Sequence, residues 1–420
     1  MALQKLLWGS CAIALLTACS VEVTAETDEA PASEVSSAEP VMAQQALIEP
    51  FEVPLGDRPF PRFRVDAAWP DLPDDLILGQ IPGVAVDRND NIWLIQRPNS
   101  LGFSDTGLDQ DPPIAVCCRA APHVLKFSAD GDFLDGWGGP EIAPEIDGVN
   151  QWPTVVHGIF VDEAGTVWIA GNGDGDHVVL NYTEDGEFIR QFGRREQTGG
   201  NEDALRLGNP ADIHHDLTTG EVVIADGYIN KRIVSFSSSD DADAEALRLF
   251  GAYAAVPGGG TRQGSFDQSQ ASSNADGGAN TRSNTFGDIV HCVNKGPDGK
   301  VYVCDRRNNR IQVFDVDENG ETVFDTEIII AEQTGGTRTA SDLAWSPDGA
   351  FLYVADMMNG RVWILDASTY ETLGAFGRNG RYPGEFIWLH SVDVDSDGNV
   401  YTTEVSTGRR VQKFVFEGIR

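Results

Sequence analysis

The chain has 420 residues and a formal net charge of −35, from 65 acidic against 30 basic side chains. Proteins that bind nucleic acids or anionic membranes through charge need an excess of Lys and Arg, so this balance argues against both kinds of partner. With 41% hydrophobic residues, 45 Gly and 21 Pro, the composition favours one large β-rich globular domain.

Residues 1–18 have the features of a bacterial export signal. Lys5 precedes an apolar run that is too short to span a membrane as a helix. The sequence Leu16-Thr17-Ala18-Cys19 resembles a lipobox, in which the Cys receives the lipid. We expect Cys19 to anchor the protein in the bacterial cell envelope, at the outer membrane in preference to the inner membrane. The folded body would then face the periplasm or the cell surface. The alternative is an ordinary signal peptide with an incidental Cys.

Residues 19–50 are expected to form an acidic disordered tether behind this anchor. Between residues 20 and 50 the chain has seven acidic side chains and neither Lys, Arg nor any aromatic residue. Such a segment cannot bury enough apolar surface to offset the entropy of ordering. The folded body is therefore assigned to residues 51–420, and the membrane would be contacted only through the lipid.

Within the body, a pair of short strands recurs six times. Each copy has an apolar strand, a turn containing Asp with Gly or Asn, and a second strand that in most copies carries an aromatic residue. Examples are Gly83–Asp87 with Asn91–Ile95, and Ser391–Asp395 with Val400–Glu404. Six copies at intervals of about 50 to 80 residues predict an all-β fold, a six-bladed β-propeller. The segments resemble NHL repeats.

Closure of the ring and two insertions complete the predicted architecture. The last copy supplies only three strands, so Pro61–Val65 is predicted to add the missing outer strand of that blade. Residues 98–122 and 252–285 interrupt the repeat and are long for loops of a compact domain. They are interpreted either as lids over one mouth of the central channel or as surface decoration.

Four cysteines remain in the body, and an even number in an exported chain favours disulfides. Cys292 and Cys304 fall on neighbouring predicted strands and are able to pair with each other. Cys117 and Cys118 are adjacent, so they either bond to one another or pair elsewhere.

Histidine recurs in register along the repeat. The residues just before the six first strands are Pro82, His157, Ala211, His291, Ser341 and His390. First strands line the channel of a propeller, so the three His of alternate blades are predicted to converge on its axis. Three imidazoles with an open fourth position are typical of catalytic zinc. The alternative is a set of hydrogen-bonded channel histidines without metal.

With these residues in place, the body resembles the peptidyl-α-hydroxyglycine α-amidating lyase domain. The best-matching stretches are Ala225–Val234, His157–Trp168 and Arg306–Phe314, and the resemblance covers about residues 60–416. It implies a six-bladed propeller that holds zinc and releases an amide and glyoxylate from a carbinolamide, with a small peptide as substrate. Because no copper monooxygenase domain precedes the propeller, the substrate is left open to another carbinolamide or hydroxy acid.

The resemblance also implies roles for individual residues. It makes His157, His291 and His390 the zinc ligands, Tyr228 the catalytic phenol, and Arg97 and Arg306 the active-site guanidiniums. Arg306 has a structural alternative, because Asp-Arg-x-Asn-x-Arg is a common feature of such repeats.

One position departs from the family pattern. In the lyase an Asp after the third His helps to hold calcium, together with two main-chain carbonyls that correspond to Val84 and Ile159. Here that place is Ser391. Because a hydroxyl is a much weaker calcium ligand than a carboxylate, we expect this calcium site to be weakened or lost.

Two other functions fit the same scaffold. A non-catalytic NHL propeller would bind a protein or glycan partner at the cell envelope, and would work without metal. A metal hydrolase or lactonase would act on esters or lactones, but such propellers usually hold calcium with carboxylates and Asn.

Overall fold

The computed structural model describes residues 47–240, 242–257, 283–337 and 339–420. The predicted signal peptide, Cys19, most of the tether and residues 258–282 of the second insertion lie outside these residues. Within them, six sheets of four principal strands follow one another along the chain. The innermost strand of each sheet contacts those of the two neighbouring sheets, and the last sheet meets the first. The prediction of a six-bladed β-propeller is confirmed.

The blades are numbered one to six in chain order, and their strands run antiparallel from the channel outwards. The innermost strands are Gln80–Val86, Val156–Val161, Asp212–Asp216, Val290–Lys295, Asp342–Trp345 and Leu389–Val394. The second strands are Ile92–Arg97, Val167–Gly171, Glu221–Asp226, Val301–Asp305, Phe351–Asp356 and Val400–Glu404. The third strands are Val124–Phe127, Val178–Tyr182, Arg232–Ser237, Arg310–Val316, Arg361–Asp366 and Val411–Ile419. The outer strands are Phe133–Trp137, Phe188–Gly193, Arg248–Phe250, Thr322–Ile329, Thr372–Phe376 and Pro61–Asp66.

Short elements decorate this frame. The remaining strands are Leu47–Ile48, Glu52–Pro54, Leu76–Ile77, Arg119–Ala120, Glu145–Ile146 and Val149–Asn150. The helices of the described chain are single 3-10 turns at Pro98–Ser100, Gly107–Asp109, Pro140–Ile142, Ala252–Ala254 and Arg306–Asn308. None of these helices has the length and apolar character needed to cross a membrane.

In blades one, two and six the repeated Asp and aromatic residues act together. Trp93 is fully buried and its indole N–H donates to the Asp87 carboxylate at 2.9 Å. The same contact joins Trp168 to Asp162 at 3.1 Å, and buried Tyr401 donates to Asp395 at 2.9 Å. The Asp thus organises the turn and satisfies the polar tip of a large core side chain. This explains why the two residue types recur at a fixed spacing.

The core lies between neighbouring blades. One cluster joins Ala85 and Trp93 of blade one to Val161 and Ile169 of blade two, and the other clusters span blades in the same way. Each blade buries its faces only against its neighbours, so stability depends on the complete ring.

The N-terminal part of the described chain closes that ring. Pro61–Asp66 pairs antiparallel with Val411–Ile419 and forms the outer strand of blade six, as predicted. Leu47–Ile48, which the sequence analysis places in the tether, pairs with the outer side of Pro61–Asp66. Glu52–Pro54 adds a fifth strand to blade five.

The first insertion lies beside the channel mouth at which the second strands end. It begins directly after Arg97, and Arg119–Ala120 returns to pair in parallel with Leu76–Ile77. Arg409 of blade six donates to the Ser100 carbonyl at 2.9 Å. The insertion therefore spans the border between blades one and six at this mouth.

Candidate functional site

Three β-bulges set the direction of the axial histidines. The register between the innermost and second strands shifts at His157, His291 and His390. A bulge inserts an extra residue and turns a side chain out of the regular alternation. Blades three and five pair without a shift, and blade one has one next to Pro82. The three blades with an axial histidine therefore have a bulge at that residue, whereas blades three and five continue the regular strand pairing.

The bulges bring the three imidazoles together. Their ring centroids lie 4.7 to 4.9 Å apart, with interplanar angles between 67° and 77°. One nitrogen from each ring lies within 4.8 Å of the other two, and all three residues are buried. The convergence that the register predicts is present in the structure.

Hydrogen bonds to the neighbouring blades orient each ring. The Nδ1 groups donate to main-chain carbonyls: His157 to Ala211 at 2.7 Å, His291 to Ser341 at 2.6 Å, and His390 to Pro82 at 2.6 Å. Because a carbonyl only accepts, Nδ1 carries the proton and Nε2 keeps its lone pair. The three acceptors occupy the same repeat position as the His in the three blades that lack one.

The donor set fits a metal ion. Burial lowers the pKa of all three imidazoles, to about 3 for His390, so they are neutral ligands at physiological pH. Nε2 of His291 is buried without a hydrogen-bond partner among the described residues, which costs free energy that a bound ion would recover. Three neutral imidazole nitrogens around one point suit zinc with an open position.

Tyr228 lies beside this triad. Its phenol oxygen is 2.8 Å from Nε2 of His157, and its ring centroid is 5.0 Å from that of His157 and 6.1 Å from that of His291. Tyr228 follows the second strand of blade three at the channel mouth. The phenol oxygen therefore lies next to the point on which the three Nε2 atoms converge.

Arg97 also faces Tyr228, with which its charge interacts. Its Nε donates to the carbonyl of Val156 at 2.8 Å, its Nη1 to Oε1 of Gln80 at 3.1 Å, and its Nη2 to Oδ1 of Asn172 at 3.4 Å. Val156 precedes His157, so the guanidinium is attached to the strand that carries one imidazole of the triad. Gln80 and Asn172 were not singled out by the sequence analysis.

Arg306 completes the group and differs from the structural arginines of the repeat. It is 5% exposed, its charge interacts with Tyr228, it contacts Sδ of Met357 at 3.8 Å, and it has a buried Nε without a hydrogen-bond partner in the described chain. Arg310, equally deep, pairs with Asp305 at 2.8 Å. The Asp-Arg-x-Asn-x-Arg signature thus has its structural role in Arg310.

Neither Arg97 nor Arg306 forms an ion pair with a carboxylate of the described residues, and burial lowers the pKa of both guanidiniums. A buried cation without a counter-charge is energetically unfavourable unless a bound anion neutralises its charge. A planar guanidinium with spare N–H groups binds carboxylates well. The site therefore combines a triad that could hold a metal ion with a phenol and two guanidiniums that could bind an anion.

On the inner side of the histidines the channel widens into a cavity of about 170 Å³ that Val84 and Ile159 help to line. Ser391 donates to the Asp342 carboxylate at 2.7 Å and accepts from the amide of Val84 at 3.3 Å. The hydroxyl that replaces the family's calcium-binding Asp is thus already engaged in two hydrogen bonds. Weakened calcium binding stays a prediction.

Three half-buried carboxylates line the same cavity and were not anticipated from the sequence. They are Asp212, Asp342 and Asp393, from blades three, five and six. Each accepts an amide N–H from the innermost strand of the next blade. Burial raises the pKa of Asp342 to about 6 and of Asp393 to about 7, and raises that of Asp212 well above its usual value. These groups join neighbouring blades around the channel.

Both cysteine pairs form disulfides. Cys292 is bonded to Cys304 across blade four, with Cα atoms 4.8 Å apart. Cys117 is bonded to its neighbour Cys118 in the first insertion. The structure thus selects the pairing of adjacent cysteines that the sequence left open.

Comparisons with known proteins agree with the repeat. NHL repeat-containing protein 3 of Mus musculus is 28% identical over 367 residues, covering 84% of each chain. Peptidyl-glycine alpha-amidating monooxygenase B of Xenopus laevis is 24% identical over 357 residues, which are 80% of this chain and 34% of that protein. The chain therefore corresponds to about a third of that relative.

Two further similarities concern the propeller scaffold. A family model described as "Lactonase, 7-bladed beta-propeller" matches residues 261–386, less than a third of the chain. A solved streptogramin B lyase aligns with a TM-score of 0.46 at 12% identity, over 86% of this chain and 98% of that one. The protein is a six-bladed β-propeller that resembles NHL repeat proteins and the peptidylglycine α-amidating proteins.

Proposed function

We propose that this protein is a zinc-dependent lyase that cleaves the N–C bond of a carbinolamide, releasing an amide and glyoxylate. The observation that carries the proposal is the convergence of three neutral imidazoles beside Tyr228. Half-buried Arg97 and buried Arg306, neither of which forms an ion pair with a carboxylate of the described residues, complete the arrangement. The similarity to peptidyl-glycine alpha-amidating monooxygenase B over 80% of this chain supports the same reaction class.

The metal would be held by Nε2 of His157, His291 and His390. Zinc at such a site acts as a Lewis acid that polarises an oxygen of the substrate. The chain keeps these three nitrogens free of protons through the Nδ1 bonds to Ala211, Ser341 and Pro82. The open side of the triad faces Tyr228, so a substrate hydroxyl bound there would lie within reach of the phenol.

The two arginines would bind the carboxylate that becomes part of glyoxylate. Arg97 is held by Val156, Gln80 and Asn172, so little side-chain freedom is lost when it binds an anion. Arg306 contributes a buried Nε–H without a partner among the described residues. Together they would orient the carbon that carries both the hydroxyl and the amide nitrogen.

Tyr228 would move the proton. Its hydroxyl would donate its proton to the departing amide nitrogen while its oxygen accepts the proton of the substrate hydroxyl, as the C=O double bond of glyoxylate forms and the C–N bond breaks. Tyr228 would thus end the reaction with one proton, as it began, and no reductant or oxidant is needed. General acid–base transfer of this kind contributes about 10²- to 10⁴-fold to a rate.

From the lipobox-like sequence we also propose that the enzyme is lipid-anchored at the bacterial cell envelope, with a small peptide or related carbinolamide as its substrate. The test is glyoxylate release from an N-acyl-α-hydroxyglycine by the zinc-loaded protein. Release that His157→Ala abolishes and His123→Ala preserves supports the lyase. A protein that releases no glyoxylate, yet binds a protein or glycan equally with and without metal, would instead be a binding propeller.

A further inference from the structure

The disulfide of blade four links the two functional groups of that blade. Cys292 directly follows His291, and Cys304 lies two residues before Arg306. The two cysteines face each other across the innermost and second strands, where their Cα atoms are 4.8 Å apart. One covalent bond therefore connects the strand that carries an imidazole of the triad to the strand that ends at a buried guanidinium.

No other blade combines these features in the described chain. Blade one carries Arg97 without an axial histidine. Blades two and six carry a histidine, but the residues that follow it are Gly158 and Ser391 rather than cysteine. The cross-strand disulfide thus occurs in the one blade whose first hairpin holds both an axial histidine and an arginine of the candidate site.

The position of Arg306 is electrostatically unfavourable in the absence of an anion. Its charge lowers the pKa of His291 and of His390, which shows that it acts on the triad. It has no carboxylate partner among the described residues, and a metal ion at the triad would add further repulsion. The guanidinium is therefore driven away from the site unless the backbone holds it there.

Two further kinds of restraint act on this hairpin: the strand pairing, which resumes between Val290 and Asp305 beyond the bulge, and the hydrogen bonds of the Asp305 carboxylate. Asp305 accepts from the amide of Gly287 at 2.8 Å, from Asn308 at 2.8 Å and from Arg310 at 2.8 Å. These bonds fix the turn against blade four but do not reach His291. The bulge at His291 also interrupts the ladder between the two strands, so the disulfide is the direct covalent connection across it.

We propose that the Cys292–Cys304 disulfide is a positioning element, which keeps Arg306 at the triad and thereby sets the affinity for carboxylate ligands. The inference rests on the proposed function for its choice of ligand class. Opening the disulfide would let Arg306 move away from the cationic site, so carboxylate binding would weaken. Substrate turnover would show this as a rise in KM with a much smaller change in kcat.

The test measures glycolate binding to the zinc-loaded protein by calorimetry, which needs no turnover. We compare the intact protein, Cys292→Ala/Cys304→Ala, Arg306→Ala, and the combined variant. Loss of the disulfide is expected to weaken binding about tenfold in the intact background and to have no further effect once Arg306 is removed. Cys292→Val/Cys304→Ala refills the volume if the double-alanine variant does not fold.

Two controls separate positioning from stability. Cys117→Ala/Cys118→Ala removes the other disulfide, and Val234→Ala destabilises the core between blades two and three, where Val234 is fully buried away from the Cys292–Cys304 pair. Both should leave glycolate binding unchanged. Equal weakening with and without Arg306, the same weakening in Val234→Ala, or unchanged binding after loss of the disulfide would overturn the inference. This test measures glycolate binding, whereas the lyase proposal is tested by glyoxylate release. Failure of one is therefore distinguishable from failure of the other.

Discussion

Nδ1 of His390 in blade six donates to the carbonyl oxygen of Pro82 in blade one, at 2.6 Å and across 308 positions of sequence. The third imidazole of the triad is therefore oriented by the closure of the ring itself. That closure depends on Pro61–Asp66, which completes blade six from the N-terminal side. Stability of the ring and geometry of the site are thus linked through the same two blades.

Removing a core side chain from the closing strand should destabilise the ring. Phe63 is 2% exposed and packs against Tyr353, Phe376 and Phe416. We expect Phe63→Ala to lower the free energy of unfolding by about 3–5 kcal/mol, from lost burial and the cavity that remains. Chemical denaturation measures this. Phe103→Ala, at a side chain 72% exposed, should change stability little, and equal effects of the two variants would contradict the role assigned to this strand.

Replacing each of two arginines of blade four by alanine should have different effects on the free energy of unfolding. Arg310→Ala leaves the buried Asp305 carboxylate without its cation, so we expect a loss of about 3–5 kcal/mol in unfolding free energy. Arg306→Ala removes a buried cation that has no carboxylate partner in the described chain, so stability should be unchanged or higher.

Steady-state kinetics complete that comparison. Arg306→Ala should raise KM for a carboxylate substrate at least tenfold, because the lost contact is with the carboxylate. If Arg306→Ala instead unfolds the protein while KM is retained in the folded fraction, Arg306 is structural and the assignment fails.

Tyr228→Phe tests the proton transfer separately from metal binding. The hydrogen bond that the structure gives for the Tyr228 hydroxyl is to Nε2 of His157, at 2.8 Å, and not to the main chain. We expect turnover to fall by about 10²-fold or more, while metal content and melting temperature stay close to those of the unchanged protein. Tyr382→Phe, at a side chain 77% exposed, serves as the matched control. Undiminished turnover in Tyr228→Phe would remove Tyr228 from the mechanism.

The channel carboxylates should make the metal-free protein sensitive to pH. Burial raises the pKa of Asp393 to about 7 in the folded state, whereas an unfolded Asp titrates near 3.9. The protonated form is therefore favoured by folding, and its stabilising contribution is complete below about pH 4 and is lost as pH rises to about 7.

The histidines of the triad titrate in the opposite sense, so a difference measurement isolates Asp393. Asp393→Asn cannot ionise, and its stability relative to the unchanged protein should rise between pH 4 and pH 7, by at most about 1.4 kcal/mol per pH unit. Denaturation in the presence of a chelator gives both curves. A constant difference across this range would show that Asp393 is ionised in the folded channel.

The sequence predicts the fold because its signals are local and repeated. In blades one, two and six the Asp and the aromatic residue of the first hairpin contact one another, as Asp87 and Trp93 do, so their spacing is constant. The register of His157, His291 and His390 is visible for a similar reason, because each is the second residue of the innermost strand of its blade.

The site residues that the sequence analysis did not single out are placed by contacts between distant segments of the chain. Gln80 and Asn172 reach Arg97 only because blades one and two pack together. Asp342 contacts Ser391 across 49 positions of sequence. Arg306 and Arg310 belong to the same Asp-Arg-x-Asn-x-Arg segment. Only their contacts in the fold distinguish Arg310, which pairs with Asp305, from Arg306, which pairs with no carboxylate of the described residues.

Metal analysis of the purified protein tests the central claim most directly. About one zinc ion per chain is expected, retained in His123→Ala and lost in His157→Ala, His291→Ala and His390→Ala. Each of the three variants should remain folded, since the imidazoles contribute one carbonyl hydrogen bond apiece. Absence of a bound transition metal, or retention of the metal in all three variants, would contradict the account and leave the axial histidines with a structural role.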